Sequence, residues 1–154
     1  MAERTIFTKK EEKFLEALIE HNVSFMIVGL AAATLQGAPV VTQDIDLWFK
    51  NLDDENILKA LKKVNGVYIP PISYNPPMFS GANLEFFDIV LSMSGLKSFE
   101  EEELNTEQIK IGNVTAKVLK LERIIESKKA AGRNKDKLSL PVLEDALKVL
   151  KSKS

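Results

Sequence analysis

The chain has 154 residues, 45% of them hydrophobic and 28% charged, which suits one domain with a core and is too short for two ordinary ones. It contains no cysteine, which excludes disulfides, thiolate metal sites and a thiol nucleophile, and its one histidine, His21, excludes a multi-histidine metal centre. The net charge of -1 hides an asymmetry: residues 1–114 carry 10 Lys/Arg against 17 Asp/Glu, and residues 115–154 carry 11 against 5, so the end segment is either a solvated basic face or a surface for phosphate or RNA.

Thr8 followed by Glu11 forms a capping-box pattern, and Phe14, Leu15, Leu18 and Ile19 recur at helical spacing, so residues 8–21 read as an amphipathic helix with His21 at its end. VSFMIV (23–28) reads as a buried strand that Gly29 stops, LAAATLQ (30–36) as a short helix closed by Gly37 and Pro39, and DIDLWF (44–49) as the next strand. Residues 53–64 predict a helix capped by Asp53, with Ile57, Leu58, Leu61 and Val64 on one face. An extended piece at 67–69, a proline-rich loop over 70–83 and a third strand, LEFFDIVLS (84–92), come next. The acidic FEEEE follows, then a hairpin turning at Gly112-Asn113 and two closing helices near 119–131 and 141–151.

This order predicts an α/β (α+β) fold, a small mixed sheet flanked by helices, in a single domain over 1–154 with a catalytic-type core at about 22–118 and C-terminal helices at about 119–151. No apolar run approaches the roughly 20 residues that span a bilayer, and MAERTIFTKKEEKF lacks a signal-peptide core, so a soluble, cytoplasmic protein without a membrane partner is expected.

Asp44 and Asp46 stand one residue apart in an otherwise apolar strand, so alternation places both on one face, away from Ile45 and Leu47. Two such carboxylates repel each other unless a cation lies between them, and hard oxygen donors suit Mg²⁺ or Mn²⁺. Asp88, in EFFDIVLSM, supplies a third carboxylate if its strand pairs beside the first. Three carboxylates around divalent metal would serve phosphoryl transfer from a nucleotide. The alternative for the pair is the polar face of an edge strand, and for Asp88 a turn cap or a lysine partner. Gly29, between a strand and a helix, fits either a phosphate cradle or a simple turn.

The succession VGL, TQDIDLWF and FFDIV resembles the nucleotidyltransferase superfamily related to DNA polymerase beta. Within it, GLAAATLQGAPVVTQDIDL (29–47) resembles the run of small AbiEii-type toxins and minimal nucleotidyltransferases, and LKLERIIESKKAAGRNKDKLSLPVLEDAL resembles their C-terminal motif, so that the likeness covers about residues 14–147. It implies that Asp44 and Asp46 bind the metal carrying the nucleoside triphosphate, that Asp88 helps activate the acceptor hydroxyl, and that Gly29 and Leu30 face the phosphates. Thr42 stands at the family's threonine before Asp-x-Asp, and Lys128, Arg133, Lys135 and Asp136 match the second motif. Where the family has Gly-Gly or Gly-Ser this chain has Gly29-Leu30, Gln36 stands for a common histidine, and Val40-Val41 for a basic position.

The function implied is transfer of a nucleoside monophosphate from an NTP to a hydroxyl of an RNA, a protein or a small molecule, with Mg²⁺ as cofactor. The alternative is a catalytically silent binding protein of the same fold, a toxin–antitoxin component with a protein partner; the small size would let a homo-oligomer or partner complete the site. Lys128, Arg133 and Lys135 fit phosphate contacts or, equally, a helix end whose cations balance the dipole while Asp136 pairs with Arg133 or Lys128. Trp48 and Phe49 read as packing, Tyr68, Tyr74 and Phe79 as a substrate rim or as surface packing.

Overall fold

A computed structural model describes residues 6–81 and 84–153, so the end of the proline-rich loop, residues 82–83, lies outside the described residues. Helix α1 (Lys9–Glu20) starts at the capping box expected of it: Thr8 Oγ1 accepts from the Glu11 N–H at 3.1 Å and the Glu11 carboxylate accepts from the Thr8 N–H at 2.9 Å. His21 closes the helix, its ring Nδ1 2.8 Å from the Ala17 carbonyl oxygen. Strand β1 (Phe25–Val28) is buried throughout, helix α2 (Gly29–Leu35) follows without a break, and β2 (Ile45–Phe49) returns antiparallel beside β1.

Helix α3 (Glu55–Lys63) is capped one residue later than expected: the Asp54 side chain, rather than that of Asp53, accepts from the Asn56 N–H at 2.9 Å. Strands β3 (Val67–Ile69) and β4 (Met78–Ser80) form a separate antiparallel ribbon, so the proline-rich segment is a hairpin-like excursion whose return arm is a strand. Strand β5 (Phe87–Val90) is shorter than the expected 84–92. The acidic run is helical, α4 (Phe99–Glu102), continued by a 3-10 turn over Glu103–Asn105. Strands β6 (Thr106–Ile111) and β7 (Val114–Leu119) make the expected hairpin, and α5 (Leu121–Ala131) and α6 (Asn134–Ser152) close the chain.

The second closing helix starts at Asn134, not near 141 as expected, and Pro141 lies inside it. The cause is local: the Asp136 carboxylate accepts from the Arg133 N–H at 3.1 Å and sets the helix start upstream of the proline.

The five-stranded sheet has the order β5-β2-β1-β7-β6, with β2/β5 and β1/β7 parallel and the other neighbours antiparallel. Strand alternation divides its two faces. Phe49 packs on Phe25 and on Phe79, and Phe79 in turn meets Phe14 of α1 edge-on at 5.3 Å, so Phe79 belongs to the core and not to a substrate rim. Tyr68 leans on Phe79, while Tyr74 stands fully exposed. Trp48 points the other way and meets Phe99 of α4 edge-on at 5.9 Å. Trp48 and Phe49 are therefore packing residues, and Asp46 shares the sheet face of Trp48. Gln36 ties α2 to the junction of β7 and α5, donating to the Leu119 carbonyl at 2.8 Å and accepting from the Leu121 N–H at 2.9 Å. Among the described residues no helix is long and apolar enough to cross a membrane.

Candidate active site

Register brings the site together. Val28, the last residue of β1, is paired with Asp46 on β2, and Asp46 is paired with Asp88 on the parallel neighbour β5. Side chains at paired positions project from the same face, so the Asp46 and Asp88 carboxylates are neighbours that act on each other. Burial first, then the charges of Asp88 and Asp44, push the Asp46 carboxyl up to about 6. Asp88 is raised too, by burial and by Asp44.

Asp44 lies just ahead of β2 and is exposed; its N–H donates to Thr42 Oγ1 at 3.1 Å, so Thr42 shapes the turn that delivers the carboxylate to the pair.

Gly29 adopts φ +68 at the first residue of α2, directly against Asp46: a Cβ there would collide with the Asp46 carboxylate oxygen Oδ2. The glycine is thus required twice, for the left-handed backbone and for the approach. Gly29→Ala is expected to cost about 1–2 kcal/mol from the backbone alone and to push the Asp46 carboxylate out of place. Denaturant unfolding checks the first part; an unchanged midpoint would show that the turn absorbs the methyl group. Leu30 is half-buried and packs on the core, so the bulky residue after Gly29 is accommodated by apolar contact.

A cleft of about 400 Å³ opens beside this group, within the size range of small-molecule sites. Gly29, Asp46, Lys128 and Arg133 all line it. Lys128 acts electrostatically on Asp46, Arg133 is itself held in its charged form partly by Asp46, and Lys135, exposed at the start of α6, acts on Asp88. The cations of the second motif therefore lie within electrostatic reach of the carboxylates. They are also anchored: Lys128 Nζ donates to Asp136 Oδ1 at 3.2 Å and Arg133 Nε to Oδ2 at 2.7 Å. The pairing of Asp136 is thus with both Lys128 and Arg133, and these two line the cleft while Lys135 does not.

Sequence reasoning missed the serines of the cleft, Ser92, Ser94 and Ser127. Ser127 is buried on α5, three positions after Ile124, at a place where helical periodicity calls for an apolar residue; that mismatch is the signal that could have found it. Gly95 lets the Ser92–Ser94 loop close on α5, since a Cβ there would strike Ala130.

Among the described residues no three His, Asp or Glu side chains form a ready-made metal cage. The donor chemistry nonetheless suits a hard divalent cation: two neighbouring carboxylates, with the Asp46 carboxyl raised to about 6 by burial and like charge, form a negative centre that Lys128 offsets only in part. Mg²⁺ characteristically takes one or two carboxylates and completes its shell with water and substrate phosphate.

No family model matches the sequence, and no curated protein matches it. The structure, by contrast, is similar to the crystal structure of ANT(2")-Ia in complex with adenylyl-2"-tobramycin, with a TM-score of 0.59 and 18% identity, covering 90% of this chain and 88% of that one. This is the nucleotidyltransferase fold. At that identity the likeness speaks for architecture, and the nucleotidyltransferase fold is reached here with a mixed sheet in which β2 and β5 lie side by side at one edge.

Proposed function

We propose that the protein is a metal-dependent nucleotidyltransferase that moves a nucleoside monophosphate from an NTP to an acceptor hydroxyl. The observation that carries this reading is the pairing of Asp46 with Asp88 next to Gly29, at a cleft that Lys128 and Arg133 also line. Negative centre and cationic wall are the two halves that a triphosphate bound through a divalent ion needs. A neighbour of the same fold in complex with an adenylylated compound supports the same chemistry.

In this reading Asp46 and Asp88 hold the metal, and Asp44, delivered by the Thr42 turn, adds the third negative charge. A bound Mg²⁺ or Mn²⁺ would supply polarisation of the phosphoryl oxygens and offset the charge that develops on them. Lys128 and Arg133 bind the phosphate chain, Lys135 flanks it, and the Gly29–Leu30 backbone lies against it without a side chain intervening at Gly29. The acceptor oxygen attacks the α-phosphorus, the new P–O bond replaces the bond to pyrophosphate, and Asp88 takes or orients the hydroxyl proton. The run GLAAATLQGAPVVTQDIDL supports placing the chain near AbiEii-type and minimal nucleotidyltransferases, with a cytoplasmic setting and an RNA, protein or small-molecule acceptor.

Calorimetric titration with each NTP, with and without Mg²⁺, tests this reading. Wild type is expected to bind at least one triphosphate in a Mg²⁺-dependent manner, and Asp44→Ala/Asp46→Ala to lose that binding. Equal binding by both proteins would remove the metal site; no binding of any triphosphate would favour the silent, partner-binding alternative.

A further inference from the structure

Lys128 and Arg133 reach the cleft from different elements, α5 and the turn before α6, yet both end on one carboxylate. Asp136 has 0% exposure, and each of its oxygens is used twice. Oδ2 accepts from the Arg133 backbone N–H at 3.1 Å and from Nε at 2.7 Å; Oδ1 accepts from Arg133 Nη2 at 3.1 Å and from Lys128 Nζ at 3.2 Å. These bonds hold the Asp136 carboxyl down to about 2, so it is charged at every working pH.

Burying a charge is costly, and an apolar contact would join two helices as well or better. The carboxylate starts α6 and joins it to α5, but stability alone does not call for two cations on the same buried group. The cations themselves differ in exposure, 14% for the Lys128 side chain and 57% for Arg133, and both line the cleft with N–H groups that Asp136 does not use. Long, flexible side chains lose rotamer freedom when they grip an anion; here that loss is taken on folding.

We propose that Asp136 is a positioning residue that fixes Lys128 and Arg133 as one preorganised receptor for the phosphate chain of a nucleoside triphosphate. The inference rests on the nucleotidyltransferase reading and adds the residue that sets its cationic wall. It has a sign that simple charge counting reverses. Removing the carboxylate leaves the two cations uncompensated, so Coulomb attraction alone would tighten anion binding; loss of positioning weakens it.

The test is titration of inorganic tripolyphosphate and of ATP with Mg²⁺ into wild type, Asp136→Asn, Arg133→Ala and the double variant, with a thermal melt of each. Asp136→Asn is expected to weaken both ligands ten- to hundredfold, and to do so much less in the Arg133→Ala background, because it acts through that side chain. Unchanged or tighter binding by a folded Asp136→Asn would overturn the inference and leave the proposed function standing, as would failure of wild type to bind tripolyphosphate or ATP while it binds another NTP; failure to bind tripolyphosphate or any NTP would overturn both. Should Asp136→Asn not fold, NMR relaxation of the Arg133 Nε–H in wild type carries the test. A side chain already rigid in the free protein, and unaltered by tripolyphosphate, is expected; one that becomes rigid only with ligand overturns the inference.

Discussion

Asp46→Asn is expected to stabilise the metal-free protein at neutral pH while removing its Mg²⁺-dependent triphosphate binding. Burial and the charges of Asp88 and Asp44 raise the Asp46 carboxyl from 3.8 to about 6. A carboxyl raised on folding favours the protonated chain, so its contribution to stability is complete below about pH 4 and is lost as the pH climbs through 6. At pH 7 wild type therefore carries a strained negative charge that asparagine lacks. The shift corresponds to about 2–3 kcal/mol, or roughly 5–10 °C in melting temperature for a chain of this size.

Melts in a chelator at pH 7 and at pH 4 measure it: the variant should melt higher at pH 7, and the difference should shrink towards zero at pH 4. Equal melting at pH 7 would show that the carboxylate is not strained. Adding Mg²⁺ should raise the wild-type melting temperature and leave the variant's unchanged. A residue that weakens the fold and serves the chemistry is what the proposed function requires of Asp46.

Glu102→Ala is expected to be the most destabilising single change away from the cleft, by about 3–5 kcal/mol. Glu102 has 0% exposure and its carboxylate gathers the Lys97 N–H at 2.9 Å, the Asn105 amide at 3.3 Å, and Arg123 Nε and Nη2 at 2.9 and 2.7 Å. The alanine would leave Arg123, itself only 25% exposed, without that partner, and would release α4 from α5. The bidentate Arg123 bond is the main reason the Glu102 carboxyl falls from 4.5 to about 2. For a carboxyl lowered on folding the stabilisation is present above pH 4.5 and lost as the pH falls towards 2, so the wild-type advantage over the variant should narrow across that window. Urea unfolding at pH 7 and pH 3 reads both effects; an equal difference at the two pH values would show that packing, not the ion pair, holds α4.

Both residues show how far local pattern reaches. That Asp44 and Asp46 share one strand face was legible because alternation sets them apart from Ile45 and Leu47, and the Gly29 turn because a glycine ends a strand where a helix begins. Glu102 was not legible: within FEEEE each glutamate looks alike, and only the helical turn started by Ser98 makes Glu102 face inward. The last helix was placed too late, since Asp136 begins it at Asn134, ahead of Pro141. Phe79 was misplaced because a proline-rich stretch conceals the strand β4 that carries it into the core.

Short-range patterns in the chain were sufficient for most elements of the fold and for placing Asp44 and Asp46 at the start of one strand, because periodicity and capping act within a few residues. Long-range pairing had to supply the rest. The strand order β5-β2-β1 makes Asp88 the neighbour of Asp46, and Val28 opposite Asp46 brings Gly29 against its carboxylate. Likewise, Asp136 could be read as a partner for Lys128 or Arg133, but that it binds both, and turns them into one wall of the cleft, depends on how α5 and α6 pack. Sheet register and helix packing are set by the burial of apolar faces far apart in the chain, which no local window contains.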